Sequence, residues 1–190
     1  MTPSITTYTV GPATVYRAEF VDDEAVPPGP EALSRRRERA TVNMIISEIF
    51  GPDASVEHAP DGSPRIAGIH NPPFISISHS ARYAVIATCP TARVGIDIEH
   101  WRNSLMKVAS RFLTSAEAEV YNSGRLLLSA WAIKEALYKV AETRPGRTLI
   151  DMPLPAGAGV ERVVIDNRSV KIILIESTAD TCMALAIDEG

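Results

Sequence analysis

Alternating apolar and polar positions, enriched in β-branched residues, predict eight strands along the chain. The predicted strands lie at residues 5–10, 14–20, 74–78, 83–89, 93–99, 160–165, 170–175 and 183–187. Gly11-Pro12 separates the first two, and Asp166-Asn167 is a turn signal between the sixth and the seventh. Residues 58–68, HAPDGSPRIAG, consist largely of turn-forming residues, so we expect a loop there.

Apolar residues at helical spacing predict four helices between these strands. The first covers residues 31–50 and the second covers residues 104–112. Thr114 and Glu117 have the spacing of a capping box, which marks the start of the third. The fourth helix, predicted over 125–142, is expected to be the longest.

The order of these elements is strands, helix, strands, helices and strands, which favours an α+β fold. Two similar subdomains, each with a long helix packed on a small antiparallel sheet, account for this order. We place the boundary after residue 100, so that residues 1–100 form the N-terminal half and residues 101–190 the C-terminal half. A chain of 190 residues is long enough to give two small halves a core.

Composition and charge narrow the functional classes. With 45% hydrophobic and 22% charged residues, the chain is typical of globular proteins, and its net charge of -4 argues against a general nucleic-acid binder. Cys89 and Cys182 lie far apart in apolar segments, so we expect both to be reduced core residues. We find neither a signal-peptide pattern nor 18 uninterrupted apolar residues, and therefore expect a cytoplasmic protein without a membrane span.

Residues 94–100, VGIDIEH, have the character of a buried strand but carry two carboxylates. Side chains alternate along a strand, so Asp97 and Glu99 point to one face while Ile96 and Ile98 point to the other. Like charges about 7 Å apart in a half-buried site repel each other, and a shared divalent cation relieves that repulsion. Ligands that are all oxygen atoms suit Mg²⁺. The alternative is a solvated face at the edge of a sheet.

The helix predicted over 125–142 has an apolar stripe and a contrasting face. The stripe consists of Leu126, Ala130, Ile133, Leu137 and Val140. Trp131, Glu135 and Lys139 follow one another in steps of four on the opposite face. An exposed Glu–Lys pair is the simplest interpretation, but a large exposed aromatic residue usually covers something. This face is therefore either solvated surface or part of a site.

Residues 74–80, FISISHS, end a predicted strand with Ser78, His79 and Ser80. Adjacent residues on a strand point to opposite faces, so Ser78 and His79 cannot easily act as nucleophile and base for each other. Hydroxyl, imidazole and backbone N–H groups are good donors to an anion, which favours a phosphate-binding role. The alternative is a histidine that only caps the strand end.

Basic residues gather at the start of the first predicted helix, where Arg35, Arg36, Arg37 and Arg39 lie close together. Such a run is either a solvated helix face or a contact for a ligand with several phosphates. Arg65, after the turn Asp61-Gly62-Ser63-Pro64, is a weaker signal of the same kind.

Three of these stretches, taken in order, resemble the 4′-phosphopantetheinyl transferases. They are FISISHS at 74–80, VGIDIEH at 94–100, and a long block over 111–139 that contains W-x-x-K-E-A-x-x-K from Trp131 to Lys139. The resemblance is to the larger type, in which one chain folds as two pseudo-equivalent halves. Outside these stretches the chain matches that family only in outline.

Members of this family transfer the phosphopantetheine arm of coenzyme A to a serine of an apo acyl or peptidyl carrier protein, and release adenosine 3′,5′-bisphosphate. The resemblance implies that Asp97, Glu99 and Glu135 hold Mg²⁺ on the pyrophosphate. It also implies that Lys139 contacts the phosphates and protonates the leaving group. Glu135, or a metal-bound water, would accept the proton of the incoming serine.

The resemblance also implies which residues contact coenzyme A. Ser78 and His79 would bind the nucleotide phosphates, with His79 at the 3′-phosphate. Lys134 would lie near the pyrophosphate or the carrier protein. Arg65 and Arg39 are the cations nearest to the positions where the family contacts these phosphates. We expect the chain to work as a monomer.

Two positions depart from the family pattern. Ser63 occupies the place of the cation in a G-K-P or G-R-P turn, and Val42 and Asn43 occupy the place of a basic residue in the first helix. A lost contact to a charged group costs roughly 1.5–3 kcal/mol. These departures leave open a weakly active or inactive member that binds coenzyme A or a carrier protein. A metal-dependent phosphodiesterase is a third alternative, but it needs a histidine-rich site and the chain has four histidines.

Overall fold

The computed structural model describes residues 3–155 and 161–190 and divides the chain into two compact units. The first unit is Met1–Thr91 and the second is Ala92–Gly190. Both combine one long helix with an antiparallel sheet of four strands, so the predicted α+β class is confirmed.

The first unit begins with two strands and contains one long helix, α1. Its elements are β1 Ile5–Val10, β2 Ala13–Glu19, α1 Leu33–Phe50, β3 Ser55–His58, β4 Pro64–Ala67, β5 Phe74–His79 and β6 Tyr83–Cys89. The sheet has the strand order β1-β2-β6-β5, and all of its neighbours are antiparallel. The strands β3 and β4 pair separately as a hairpin.

Packing of α1 on this sheet forms the core of the first unit. Ile45 and Ile46 of α1 are almost completely buried and lie in one cluster with Ala84 and Ile86 of β6. Burying an aliphatic side chain of this size contributes about 1.5–3 kcal/mol. The core therefore fixes α1 against the two central strands of the sheet.

The second unit has a sheet of the same size and a cluster of helices. Its elements are β7 Val94–His100, α2 Ser104–Val108, α3 Ser115–Val120, α4 Gly124–Val140, β8 Arg162–Ile165, β9 Arg168–Ser177 and β10 Thr181–Asp188. The strand order is β7-β10-β9-β8, again antiparallel throughout, which places β7 at an edge. The carboxylates of the VGIDIEH stretch therefore belong to an edge strand.

The helix α4 packs on this sheet through most of its surface. Leu128, Ala132, Ala136 and Leu137 are essentially inaccessible and share a cluster with Ala184 of β10 and its neighbours. The predicted apolar stripe is confirmed except for Leu126, which is 44% exposed, whereas Leu127 in the same first turn is buried.

Several predicted boundaries differ from the structure. The segment predicted as a loop contains β4 and the end of β3, because Gly62 turns the chain with φ of +84° and lets the strands pair. The helix α4 has 17 residues and is shorter than α1, which has 18. In the strand predicted at 160–165, Val160 lies outside the described residues. The turn at Asp166-Asn167 is confirmed, with positive φ at both residues.

The unit boundary lies earlier than the one predicted after residue 100. The strand β7 pairs along its length with β10, so it belongs to the second unit and the chain divides between Thr91 and Ala92. As a result, both carboxylates of β7 lie in the same unit as α4.

A glycine allows β7 and α4 to come close together. A Cβ atom on Gly95 would lie 2.0 Å from the backbone oxygen of Ala136 and 3.0 Å from a methyl carbon of Val140. The first distance is far below any van der Waals contact, and its partner is backbone that cannot rotate away. Residue 95 must therefore be glycine for this packing, two residues before Asp97 and opposite the turn that carries Glu135.

We expect Gly95→Ala to destabilise the protein by about 1–3 kcal/mol or more, because the added methyl group forces β7 and α4 apart. Gly29→Ala is a matched control, since its Cβ would meet only the flexible Arg36 side chain at 3.4 Å. Urea unfolding of both variants measures the difference. Equal stabilities of the two variants would show that the close approach is not required.

Candidate active site

Two carboxylates of β7 face α4 and are largely shielded from solvent. Asp97 pairs with Ala184 and Glu99 with Cys182 of β10, both of which lie in the core beneath α4. Only 10% of the Asp97 side chain and 16% of the Glu99 side chain are exposed. A freely solvated face is therefore excluded, although β7 is an edge strand as that alternative assumed.

Lys139 connects the last turn of α4 to β7. Its Nζ lies 3.0 Å from Oδ1 of Asp97 and donates a hydrogen bond to the backbone oxygen of Ile96 at 2.7 Å. The carboxylate on the strand is thus already neutralised by a cation from the helix. Because an ammonium group has three N–H donors and Nζ contacts two oxygen atoms here, the same nitrogen can donate to a further oxygen.

Arg102 neutralises the second carboxylate in a similar way. Its guanidinium NH1 lies 2.6 Å from Oε2 of Glu99, while the backbone N–H of His100 donates to Oε1 at 2.9 Å. The same guanidinium stacks over the ring of Trp131 at 5.6 Å from its centroid. Trp131 in turn meets the ring of Phe112 edge to face, with centroids 4.9 Å apart. Trp131 therefore supports a cation next to the carboxylates.

Glu135 is a half-buried acid in the field of both strand carboxylates. Burial raises the pKa of Glu135 above its ordinary value, and the negative charges of Asp97 and Glu99 raise it further. Lys139 and Arg102 act in the opposite direction but do not cancel the increase. Three acids and two cations therefore share this part of the second unit.

The donor chemistry of the three acids fits a hard divalent cation. All the donors are carboxylate oxygens. Burial and, after it, the negative charges of Asp97 and Glu99 raise the pKa of Glu135, and a bound cation would counteract this increase. Within residues 3–155 and 161–190, no three or more His, Cys, Asp and Glu side chains already converge as a metal-binding group. Lys139 and Arg102 instead occupy oxygen atoms of Asp97 and Glu99.

The predicted phosphate contacts Ser78 and His79 lie in the first unit, on β5. Ser78 is buried, whereas about half of the His79 side chain is exposed, in line with the alternation expected of a strand. Nε2 of His79 lies 3.3 Å from Oε2 of Glu38 on α1. An acidic residue therefore sits beside the histidine predicted to bind a phosphate.

The two predicted arginine contacts are exposed, and each is paired with a nearby acid. Arg39 lies 2.9 Å from Glu31, just before α1. Arg65 on β4 lies 3.4 Å from Glu57, its cross-strand partner on β3. Exposed pairs of this kind contribute at most about 1 kcal/mol, so either arginine could exchange its partner for a phosphate.

Lys134 is not positioned to contact a ligand, in contrast to the prediction from the family. Its side chain is completely buried, and its Nζ lies 3.0 Å from Oε2 of Glu117 on α3 and donates to the backbone oxygen of Met152 at 2.5 Å. The side chain is in the core because it leaves α4 toward Glu117 and toward Met152, which is itself only 1% exposed. Lys134 therefore joins the helices to the segment around Met152.

Glu117 connects this buried pair to the start of α3. Oε2 of Glu117 also accepts a hydrogen bond from the backbone N–H of Thr114, and the Thr114 hydroxyl accepts one from the N–H of Glu117. The capping box predicted from the sequence is confirmed. Burial alone would raise the pKa of Glu117, but hydrogen bonds from Thr114 and Lys134 outweigh it and lower that pKa. Burial lowers the pKa of Lys134, and Glu117 only partly compensates.

Sequence reasoning did not assign a site role to Arg102, Glu38 or Gly95. Glu38 on α1 contacts His79 on a distant strand, and Arg102, just after the end of β7, contacts Glu99. Neither contact follows from a spacing pattern in the sequence. Gly95 precedes the two carboxylates within VGIDIEH, and its position inside a strand was a usable signal of close backbone approach.

Comparison with known proteins gives a family match within the second unit. Residues 93–181 match the family model ACPS, described as the 4′-phosphopantetheinyl transferase superfamily. The matched segment includes Asp97, Glu99, Glu135 and Lys139, so the resemblance seen in the sequence is confirmed for this part of the chain. No curated protein matches the chain. No helix among the described residues is long and apolar enough to cross a membrane.

We expect Lys134→Met to destabilise the protein by about 3–5 kcal/mol, because it leaves the Glu117 carboxylate without its buried partner. The double variant Lys134→Met with Glu117→Gln should recover most of this loss, since glutamine can still close the capping box. Urea unfolding measures both effects. A destabilisation of Lys134→Met below about 1 kcal/mol, within the range of exposed pairs, would contradict the structural role of Lys134.

Proposed function

The chain carries a 4′-phosphopantetheinyl transferase superfamily domain over residues 93–181, and on this premise we propose that it modifies apo carrier proteins. The reaction transfers the 4′-phosphopantetheine arm of coenzyme A to a serine of an acyl or peptidyl carrier protein. The serine oxygen forms a bond to the phosphorus that bears pantetheine. The bond between that phosphorus and the bridging oxygen of the pyrophosphate breaks, and adenosine 3′,5′-bisphosphate leaves.

The observation that carries this proposal is the group of acids and cations between β7 and α4. Phosphoryl transfer needs alignment and charge neutralisation more than covalent help from the protein. Asp97, Glu99 and Glu135 offer oxygen ligands, while Lys139 offers a positive charge within 3.0 Å of Asp97. A diphosphate needs both features in one place.

We propose Mg²⁺ as the cofactor, with Asp97, Glu99 and Glu135 as the residues that would hold it. When bound, the ion would supply Lewis acidity to the diphosphate and fix its geometry. Glu135 is the side chain that would accept the proton of the attacking serine hydroxyl. Glu135 thus has both an orienting role and a proton-accepting role.

Lys139 has the second catalytic role in this proposal. Its ammonium group contacts the phosphates, offsets the charge that develops on the departing phosphate and can donate a proton to it. The hydrogen bond from Nζ to the oxygen of Ile96 holds the side chain at the strand while it does so. Lysine suits this role because it is a compact charge with several donors.

We propose that Ser78, His79, Arg65 and Arg39 provide the contacts to the nucleotide phosphates of coenzyme A. Lys134 is left out of this set because it is buried against Glu117. The larger, pseudo-dimeric family type, a monomeric state and a cytoplasmic location remain parts of the same proposal. The two units with similar composition of helix and sheet support the first of these.

One set of observations favours the alternative of a weakly active or inactive member that binds coenzyme A or a carrier protein. Arg39 and Arg65 are each paired with a carboxylate, and Glu38 lies beside His79. An approaching phosphate must compete with all three acids. This would weaken binding of coenzyme A without affecting the metal ligands.

Mass spectrometry of an apo carrier protein incubated with this protein, coenzyme A and Mg²⁺ tests the proposal. Transfer predicts a mass gain of one phosphopantetheine arm that disappears when a chelator removes the metal. Carrier proteins of fatty-acid, polyketide and peptide synthesis serve as parallel substrates. A mass that stays unchanged with every carrier, while coenzyme A still binds, would favour the binding protein.

We expect Asp97→Ala and Glu135→Ala each to reduce transfer by at least about 100-fold, in the range of a lost electrostatic group at an active site. Neither change should unfold the protein, because both side chains lie at the border of the core. Glu48→Ala on the exposed side of α1 is the matched control. Rates at limiting Mg²⁺ measure the effect, and a variant that keeps most of its rate would refute the metal assignment.

We expect His79→Ala to raise the KM for coenzyme A several-fold while kcat changes little, because a contact to a remote phosphate acts on binding. Glu38→Gln should lower the same KM, since it removes the negative charge 3.3 Å from Nε2 of His79. Glu19→Gln, which breaks an exposed pair with Arg82, is the control. A decrease in kcat alone would place His79 at the reacting atoms.

A further inference from the structure

Arg102 makes two specific contacts that the proposed chemistry does not use. Its NH1 nitrogen lies 2.6 Å from Oε2 of Glu99, and its guanidinium covers the ring of Trp131. A guanidinium held by a carboxylate on one side and an aromatic face on the other is a well-defined position for an otherwise flexible side chain. These contacts place a permanent positive charge directly on one of the proposed metal ligands.

Backbone contacts on both sides of Arg102 hold the residue in place. The N–H of Trp101 donates to the oxygen of Asp180 at 2.9 Å, and the N–H of Leu105 donates to the oxygen of Arg102 at 2.9 Å. The side chain is nevertheless 46% exposed. Only side-chain torsions therefore have to change for the guanidinium to leave Glu99, and solvent is available to receive it.

A divalent ion and Arg102 cannot share the same oxygen of Glu99 at low cost. An Mg²⁺ ion binds oxygen at about 2.1 Å, so an ion on Oε2 would lie within about 5 Å of the NH1 nitrogen. Charges of like sign at that distance repel strongly in a partly shielded site. Glu99 also uses its other oxygen to accept the N–H of His100, so turning the carboxylate away breaks a second contact.

We propose that Arg102 is the resident counter-ion of Glu99 in the metal-free protein and that Mg²⁺ displaces it on binding. The inference rests on the proposed function, because it concerns the metal that the transferase reaction requires. It also accounts for the position of one oxygen on each strand carboxylate: Oε2 of Glu99 lies at Arg102, and Oδ1 of Asp97 lies at Lys139.

In this proposal Arg102 lowers the affinity for Mg²⁺, and the fluorescence of Trp131 reports the position of the Arg102 guanidinium. Removing the guanidinium should strengthen Mg²⁺ binding, since the ion no longer competes with a fixed charge. Moving the guanidinium off the indole ring should change the fluorescence of Trp131, because indole emission responds to a nearby charge. Both effects appear without any turnover.

Isothermal titration calorimetry of Mg²⁺ binding to this protein tests the first effect. We expect Arg102→Gln to tighten Mg²⁺ binding by about three- to tenfold. The change removes one positive charge near the ion, at a position that is partly exposed to solvent. Arg102→Lys keeps the charge without the planar fork and should fall between the two. Arg125→Gln carries the same change in net charge about 15 Å along α4 from Glu135 and should leave affinity unchanged.

Fluorescence in a Trp101→Phe background tests the second effect, since Trp131 is then the one tryptophan of the chain. Mg²⁺ should change the emission of this protein with the same midpoint as the calorimetric titration. Adding Arg102→Gln should remove most of that change while binding persists. Unchanged or weaker Mg²⁺ affinity in Arg102→Gln, or binding without a change in Trp131 emission, would overturn the proposal.

Failure of the proposed function gives a different pattern. If neither the parent protein nor Arg102→Gln binds Mg²⁺, the metal site itself is refuted and this inference falls with it. If both bind Mg²⁺ with equal affinity and Asp97→Ala abolishes binding, the metal site stands and only the role of Arg102 is refuted.

Discussion

Backbone atoms of Ala136 occupy the space that a Cβ on residue 95 would need, so β7 and α4 pack at a distance that only glycine permits. The candidate site depends on this approach. Asp97 follows Gly95 by two residues on the same face of the strand, and Glu135 immediately precedes Ala136 on the helix. A larger residue at 95 would separate the acids of the strand from the acid and the lysine of the helix.

Close packing brings a second constraint, because it concentrates acids where little water can shield them. The pKa of Glu135 is raised by burial and by its acidic neighbours, while Lys139 and Arg102 neutralise the two strand carboxylates. The balance of three acids and two cations keeps the metal-free arrangement stable. It also leaves a net negative charge that favours a divalent cation.

Local sequence rules predicted most of the fold, but contacts across the fold were beyond them. The strands, the helices α1 and α4, the capping box at Thr114 and the turn at Asp166-Asn167 each follow from periodicity or turn chemistry over a few residues. The β3–β4 hairpin was missed because its turn-rich sequence hid two short strands. The role of Lys134 was misassigned because a motif shows the spacing of residues but not which of them faces the core, and the partner Glu117 lies 17 residues earlier.

Glu117 performs three tasks with a single carboxylate: it closes the capping box with Thr114, neutralises the buried Lys134 and accepts the N–H of Leu154 at 3.2 Å. Natural variation at these positions should consequently be correlated. Related proteins that replace Lys134 with an apolar residue could accept glutamine at position 117. A small aliphatic residue at 117 would lose both the hydrogen bond to the Thr114 N–H at the start of α3 and the hydrogen bond to the Leu154 N–H. Substitutions at Glu117 and Lys134 are thus expected to occur together rather than singly.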